Sequence, residues 1–276
     1  MPLLKASILP HSPLLIPEIG KANTARLDRT QLAYQQIAEQ LKFLGVDTVI
    51  IISPHQLTTD NLITINVSPE LELNFQDFGL INKKTILPGD SLLADKLYSE
   101  LKSNQSIGLI SHSLLDHGSA VPAYILKSLD LDFKLVSITL NQSLPLKDAL
   151  ALGESLAKPL RLSNKRVAII ASCGLSHRLE KKSPGGYSPK GAKFDNKLIE
   201  YLNNPEQAIE NILNLDPHLI AEAGECGLLP IITLLGAITD LKPKADTLAY
   251  QTNFGVGYLS LDFIFPAQLE TSKSHE

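Results

Sequence analysis

The fold is decided by one stretch of the sequence, Thr48-Val49-Ile50-Ile51-Ile52. Its continuous β-branched, apolar character is typical of a strand buried on both faces, as strands of parallel sheets are. Before it, residues 21–44 carry apolar residues at helical spacing, and Gly45 is placed to cap the end of that helix. Residues 4–9 form an earlier apolar run. This strand, helix, strand order predicts two parallel strands joined by a right-handed crossover.

The same alternation continues along the rest of the chain. Further strands are predicted at residues 107–110, 134–139 and 166–171, and further helices at residues 91–102, 120–129, 146–160, 192–213 and 226–238. Residues 62–67 and 71–75 predict a more exposed, partly antiparallel excursion, and residues 247–252 and 256–263 a terminal hairpin. We therefore expect one α/β domain over residues 1–276, with a mixed, mostly parallel central sheet, helices on both faces and a short disordered tail.

Composition excludes several classes of function. The 25 Lys and Arg against 29 Asp and Glu give a net charge of −4, and the absence of a basic run argues against a nucleic-acid partner. Two cysteines in 276 residues are too few for a disulfide framework and fit a reducing compartment. The longest apolar run, residues 227–238, is shorter than the about 20 residues that cross a bilayer, and the N-terminus lacks a signal peptide pattern. We expect a cytoplasmic protein without a membrane partner.

Most of the histidines fall where ligands bind in such folds. Because the carboxyl ends of parallel strands meet at one edge of a sheet, side chains in the turns after these strands lie close together. Five of the seven histidines are predicted in such turns, namely His11, His55, His112, His117 and His177. Neutral imidazole is the commonest protein ligand of metals, and Glu225 at the start of a predicted helix would add an oxygen donor. Two histidines and one carboxylate form the metal set of non-haem Fe(II) oxygenases.

Each of these residues also has a simpler structural interpretation. His11 and His55 could be turn residues whose imidazoles hydrogen-bond to the backbone, and His117 could belong to a helix-capping turn. Glu225 could interact with a helix dipole, and Cys226 could be a small core residue. Spacing alone therefore leaves the metal site open.

Five segments, in this order along the chain, resemble the catalytic B-type subunit of the class III extradiol ring-cleavage dioxygenase superfamily. They are residues 10–20 (PHSPLLIPEIG), 53–55 (SPH), 116–122 (DHGSAVP), 175–179 (LSHRL) and 225–228 (ECGL). The resemblance covers nearly the whole chain and is specific for the superfamily rather than for a substrate.

This resemblance implies a ligand set and a reaction. His11, His55 and Glu225 would hold Fe(II), with Zn, Mn or Cu as alternative metals. The implied reaction inserts both atoms of O2 into a catechol-type diol, with His177 as the acid/base that takes and returns a phenolic proton and His117 in contact with substrate or oxygen. The expected partners are thus a small aromatic diol and O2, and the family also suggests a homo-oligomer.

Two features depart from the superfamily pattern or leave it open. Relatives often carry Gly-Asp before Leu-Ser-His, where this chain has Cys173-Gly174, and the missing carboxylate could have oriented His177. The superfamily also includes Memo-like proteins, for which a His/His/Cys site and a role other than dioxygenase are proposed. Cys226 adjoins Glu225, and we favour Glu225 because a thiolate suits copper or zinc better than an iron–diol complex.

The alternative hypothesis is therefore a Memo-like protein that binds metal or a partner without turnover. Residues 180–191 are predicted as a long loop beside the His177 turn, which is typical of a lid or specificity loop. This loop carries Tyr187 and three lysines, Lys181, Lys182 and Lys190, and under the alternative hypothesis it could contact an acidic partner.

Overall fold

The alternating strands and helices form a central sheet and a small hairpin in a computed structural model, which describes residues 2–57, 63–102 and 107–266. The strands are, in chain order, β1 (Leu3–Pro10), β2 (Thr48–Ser53), β3 (Ile63–Asn66), β4 (Glu70–Phe75), β5 (Leu80–Pro88), β6 (Ile107–Ile110), β7 (Lys134–Leu140), β8 (Val167–Cys173), β9 (Lys244–Gln251) and β10 (Tyr258–Ile264). The helices are, in chain order, α1 (Pro17–Gly20), α2 (Asp28–Phe43), α3 (Ser91–Leu101), α4 (His117–Ser128), α5 (Leu146–Arg161), α6 (Pro189–Leu202), α7 (Pro205–Leu213), α8 (Pro217–Ala223) and α9 (Leu228–Ile238).

The central sheet has the strand order β6-β3-β7-β2-β8-β1-β10-β9. Its four middle strands, β7, β2, β8 and β1, are mutually parallel. Antiparallel pairing occurs toward the edges, where β3 meets β7 and where β10 meets β1 and β9. The expected α/β class with a mixed, mostly parallel sheet and a terminal hairpin is therefore confirmed.

Strand β2 is buried on both faces, as its sequence predicts. Ile50 and Ile52 belong to one hydrophobic core, which also contains residues of α3, α5, α6 and α9. Val49 and Ile51 point to the other core, built largely from α2 and α4. All four side chains are fully buried, so this one strand ties together the helical layers on the two faces of the sheet.

The helix before β2 begins later than its apolar pattern suggests. Residues 21–27 form 3-10 helix, and the α-helix starts at Asp28. Leu32, which belongs to the predicted apolar stripe, is 56% exposed. The predicted end is confirmed: Gly45 adopts a left-handed φ of 58°, and its amide donates to the carbonyl of Lys42.

The prediction that residues 62–67 form an exposed excursion is wrong for the described part. Strand β3 lies inside the central sheet and is buried along its length. Thr64 is compatible with this burial because its hydroxyl hydrogen-bonds to that of Thr139 on β7, at 2.5 Å. Such a partner comes from a distant part of the chain and leaves no trace in local hydropathy.

Three elements are absent from the sequence prediction, namely α1, β5 and α8, and one predicted segment is divided. Strand β5, whose central residues are polar, pairs with β4 and exposes Ile81 and Ile86, while α8 begins at Pro217 with Asp216 as its cap. Residues 192–213 span two helices that are separated before Pro205. Within the described residues, no helix has both the length and the apolar character needed to span a membrane. The predicted tail lies outside the described residues.

Candidate metal centre

Three side chains from distant parts of the chain converge beyond the carboxyl ends of the parallel strands. His11 follows β1, His55 follows β2, and Cys226 precedes α9. One ligand atom from each lies within 4.8 Å of the other two. The Nε2 atom of His11 is 3.3 Å from Nε2 of His55 and 3.5 Å from Sγ of Cys226. We call these three residues the metal cluster.

Hydrogen bonding defines the protonation of His11. The Ser172 hydroxyl donates its only proton to the carbonyl of Gly118, at 2.5 Å. Its contact of 2.9 Å with Nδ1 of His11 is therefore one in which the imidazole donates. The lone pair on Nε2 is left facing the other two residues of the cluster, which is the arrangement that a metal ligand requires.

Burial keeps the imidazoles of the cluster neutral. Desolvation, together with the neighbouring histidines, lowers the pKa of His11 well below its ordinary value and that of His55 to about 3. Burial also raises the pKa of the Cys226 thiol to about 12. Neutral imidazoles bind metal without losing a proton, whereas a thiolate ligand would have to release one on metal binding.

Replacing Ser172 with alanine is expected to weaken metal binding by about 10–100-fold, because His11 loses the acceptor that fixes its tautomer and ring orientation. The affinity for Zn²⁺ and Fe(II) can be measured by competition with a chromophoric chelator. The matched control is Ser260→Ala, since the buried Ser260 hydroxyl has no hydrogen-bond partner among the described residues. Equal affinities in the two variants would show that Ser172 does not orient the ligand.

Two further histidines lie beside the cluster without belonging to it. The ring of His117 stacks on that of His55, with centroids 4.1 Å apart. The Nε2 atom of His177 is 3.7 Å from the Cys226 sulfur. Burial lowers the pKa of both imidazoles. The structure thus brings four of the five predicted histidines together, while His112 is exposed and contacts the carbonyl of Leu114.

Glu225, predicted as the third ligand, is not part of the metal cluster. Its Oε2 atom accepts a hydrogen bond from the amide of Leu228, at 2.6 Å, at the start of α9. Burial raises its pKa to about 7, although this hydrogen bond opposes the shift. The described geometry brings Cys226 to the two histidines instead, and the assignment of Glu225 stays a prediction.

Close packing explains the glycine at position 174. A Cβ there would lie 2.8 Å from Nε2 of His177 and 3.2 Å from the sulfur of Cys226. Both distances are shorter than ordinary contacts, so any side chain would displace His177 or Cys226. The absence of a side chain at Gly174 is therefore what allows the His177 ring to lie against the thiol.

A carboxylate that the sequence analysis did not single out places the His117 ring. Asp116 caps α4: its Oδ1 accepts from the amide of Ser119 at 3.0 Å and from the Ser53 hydroxyl at 2.5 Å. The amide of His55 in turn donates to the Ser53 hydroxyl, at 3.2 Å. His117 as the first helical residue and His55 on its loop are thus held by one shared network.

A second such carboxylate supports the loop that carries His177. Asp195 on α6 is fully buried, and its Oδ1 accepts from the amide of Ser176 at 2.8 Å while its Oδ2 accepts from the Tyr250 hydroxyl at 2.7 Å. Burial raises the pKa of Asp195 from 3.8 to about 6, against the effect of these hydrogen bonds. In the sequence Asp195 is a single polar residue within a predicted helix, and it carries no functional signal.

Asp195 predicts a pH dependence of stability. Because the folded-state pKa is raised, the folded protein holds this proton more tightly than the unfolded chain, and stability decreases as the pH rises from about 4 through about 6. Between a pH below both pKa values and a pH above both, the free energy of unfolding decreases by about 3 kcal/mol. Urea unfolding of Asp195→Asn should lack this part of the pH dependence, whereas Asp95→Asn, on the exposed face of α3, should retain it. Parallel pH profiles of wild type and Asp195→Asn would contradict the assignment.

Two cavities adjoin at His55 and His117. The apolar cavity, of about 250 Å³, touches the cluster histidines and His177 and is closed by Pro184, Phe254, Val256 and Tyr258. The amide-lined cavity, of about 500 Å³, is bordered by Gln56, Asn74, Gln76, Asn141 and Gln142. The predicted loop at residues 180–191 contributes Pro184, and its Gly185 amide donates to the carbonyl of His177.

The family model for the catalytic LigB subunit of aromatic ring-opening dioxygenase matches residues 5–260. The chain is 31% identical over 261 residues to "Protein CA_C1420" of Clostridium acetobutylicum, covering 91% of this chain and 55% of that protein. It is 27% identical over 181 residues to 3,4-dihydroxyphenylacetate 2,3-dioxygenase of Escherichia coli, covering 60% of this chain and 63% of that protein. The chain thus spans less than two thirds of the length of either relative.

Among solved structures, the crystal structure of uncharacterized protein JW3007 from Escherichia coli K12 has a similar fold. The TM-score is 0.68 at 17% sequence identity, and the alignment covers 94% of this chain and 99% of that one. At this identity the likeness concerns the fold alone.

Proposed function

This chain belongs to the family of the catalytic LigB subunit of aromatic ring-opening dioxygenases, and from that membership we propose that it is a metal-dependent ring-cleaving dioxygenase. The proposed substrates are a small aromatic diol and O2. One observation carries the proposal: His117 and His177 stand outside the metal cluster, but both border the apolar cavity beside it. Such an arrangement separates metal binding from proton transfer.

The donor set fits a divalent metal. His11 and His55 supply neutral imidazoles, and the free Nε2 of His11 faces the other donors. A third donor would come from Cys226 in the observed geometry, or from Glu225 as the sequence predicts. Fe(II) is the proposed metal, and when bound it would supply the redox chemistry that insertion of O2 requires.

The protein's own contribution is to position the diol and to move a proton. His177 is held neutral because burial and the neighbouring His117 lower its pKa, so its imidazole can accept a phenolic proton and later return it. The apolar walls of the cavity, such as Val256 and Tyr258, would exclude water from the aromatic ring of the diol. His117, stacked on His55, would contact the diol or O2 from the other side.

A second candidate function is metal binding without turnover, as proposed for Memo-like proteins. The observation that favours it is the thiol of Cys226 within the metal cluster, where the sequence analysis expects a carboxylate. Soft thiolate ligands prefer zinc or copper to iron.

Metal content together with oxygen uptake separates the two functions. The protein is purified without oxygen, its metal is determined, and it is loaded with Fe(II) and offered catechol, protocatechuate and gallate. Uptake of O2 with a yellow ring-fission product is the result expected of a dioxygenase. Tightly held zinc or copper, with no uptake on any diol after iron loading, would overturn the dioxygenase proposal in favour of the second function.

A further inference from the structure

The amide-lined cavity, which adjoins His55 and His117, is rich in uncharged polar side chains. Its polar lining includes five carboxamide side chains, those of Gln56, Asn74, Gln76, Asn141 and Gln142. Carboxamides both donate and accept hydrogen bonds and carry no charge. His55 and His117 line both this cavity and the apolar cavity, so the two cavities meet at these rings, beside the metal cluster.

We propose that this cavity is the subsite for the substituent on the diol ring, and that it selects a hydroxyl- or ammonium-bearing substituent over a carboxylate. The proposal rests on the proposed function, since it places the diol at the metal cluster. It concerns which diols the chain accepts, which neither the family nor the relatives' names determine for this chain.

Charge is the first argument for this selectivity. None of the described residues that line either cavity is a lysine or an arginine. The acidic lining residues are Asp77, which is exposed, and Asp116, whose Oδ1 is already bound by Ser53. Lys84 on the neighbouring hairpin lies 3.4 Å from the carboxylate of Glu72. A carboxylate in the cavity would lose hydration without gaining a cation partner.

The second argument is that the amides are held in place. The Asn141 amide donates to Oε1 of Gln56, at 3.3 Å, and the Gln56 amide donates to the carbonyl of Thr139, at 3.2 Å. The Gln142 amide donates to the carbonyl of Pro54, at 3.0 Å, one residue before His55. The wall is thus anchored to the backbone of β7 and of the His55 turn, and such preorganised groups bind polar substituents at a small entropic cost.

Part of the remaining wall is formed by the tip of the β4–β5 hairpin. Residues 76–78 form a single 3-10 turn, and the Phe78 ring meets the His117 ring edge-on, with centroids 5.6 Å apart. Gln76 lies on the same turn and is exposed, and its backbone amide bonds to Oδ1 of Asn74. A substitution of the Gln76 side chain can therefore change the charge of the cavity without touching a residue of the metal cluster.

The test uses three catechols whose side chain is one methylene followed by a CH2OH, CH2NH3⁺ or COO⁻ group. They are 2-(3,4-dihydroxyphenyl)ethanol, 2-(3,4-dihydroxyphenyl)ethylamine and 3,4-dihydroxyphenylacetate. Binding to the Fe(II)-loaded protein is measured calorimetrically without oxygen, and oxygen uptake is measured separately. We expect the carboxylate to bind at least about tenfold more weakly than the alcohol and the amine.

Two charge variants test whether the substituent of the diol occupies this cavity. Gln76→Lys should raise the affinity for the carboxylate relative to the alcohol by about threefold or more, because it adds a cation to the cavity. Gln36→Lys makes the same change of net charge on the exposed face of α2 and should leave the relative affinities for the three diols unchanged. An equal response of the two variants would overturn the placement of the substituent in this cavity.

The outcomes for the two proposals differ. Tighter or equal binding of the carboxylate by the unmodified protein would overturn the proposed selectivity, even if ring cleavage occurs. Selective binding without oxygen uptake would support the subsite and contradict turnover. If none of the three diols binds to the iron-loaded protein, the subsite proposal fails, whereas the dioxygenase proposal is decided by oxygen uptake on catechol, protocatechuate and gallate.

Discussion

Replacement of His177 with alanine is expected to lower the rate of ring cleavage by about 10²–10⁴-fold and to leave the metal content unchanged. His177 is outside the metal cluster, so we expect its loss to remove the proposed proton acceptor and not a ligand. Its imidazole is neutral because burial lowers the pKa, and a neutral base is ready to take a phenolic proton. The measurement is oxygen uptake at saturating diol, with iron determined on the same sample.

The matched control for this variant is His218→Ala. His218 is exposed and contacts the Lys190 ammonium at the surface, so its removal should change neither iron content nor rate. A His177→Ala protein that has lost its iron would show that His177 is a ligand and would defeat the assigned role. A fully active His177→Ala protein would exclude it as the acid/base.

The second large effect concerns the third metal ligand. From the observed geometry we expect Cys226→Ala to weaken metal binding strongly, because it removes one of three converging donors. The effect should exceed the about 10–100-fold loss expected when a residue that only orients a ligand is removed. Glu225→Gln should change the affinity by no more than about threefold, since glutamine can still accept the Leu228 amide. Metal affinity is measured by chelator competition for both variants.

His55→Ala serves as the reference for loss of a ligand, and it should lose metal in either case. The reverse pattern, with Glu225→Gln losing metal and Cys226→Ala retaining it, would support the carboxylate that the sequence analysis favours. The result also bears on function, because a carboxylate ligand suits an iron–diol complex and a thiolate suits zinc or copper. Thermal unfolding of each variant without metal shows whether a loss of affinity reflects a loss of fold.

The sequence predicts the scaffold well because local patterns determine it. The apolar run of β2 and the helical spacing before Gly45 are each visible in a short window. Together with the apolar run of β1, they place His11 and His55 beyond the carboxyl ends of two parallel strands, between which β8 lies. Strand β3 is different: its burial depends on cover from distant strands and on the Thr64–Thr139 pair, which no short window contains.

The details of the site are less predictable for a similar reason. Glu225 and Cys226 are adjacent in sequence, and which of them faces His11 depends on how the chain turns into α9. The supporting residues Ser172, Asp116 and Asp195 each act through two hydrogen bonds to partners at least three residues away, and in most cases far along the chain. A lone serine or aspartate carries no pattern that would mark it.

The bond from the Ser172 hydroxyl to the Gly118 carbonyl has a consequence for protein engineering. It links His11, which follows β1, through Ser172 on β8 to the backbone of the helix that carries His117. A chimera that takes its α4 segment from a relative would import a new carbonyl position at 118 along with the new histidine. We would then expect its metal affinity to change although the three residues of the metal cluster are unaltered. The β8 and α4 segments should therefore be exchanged together.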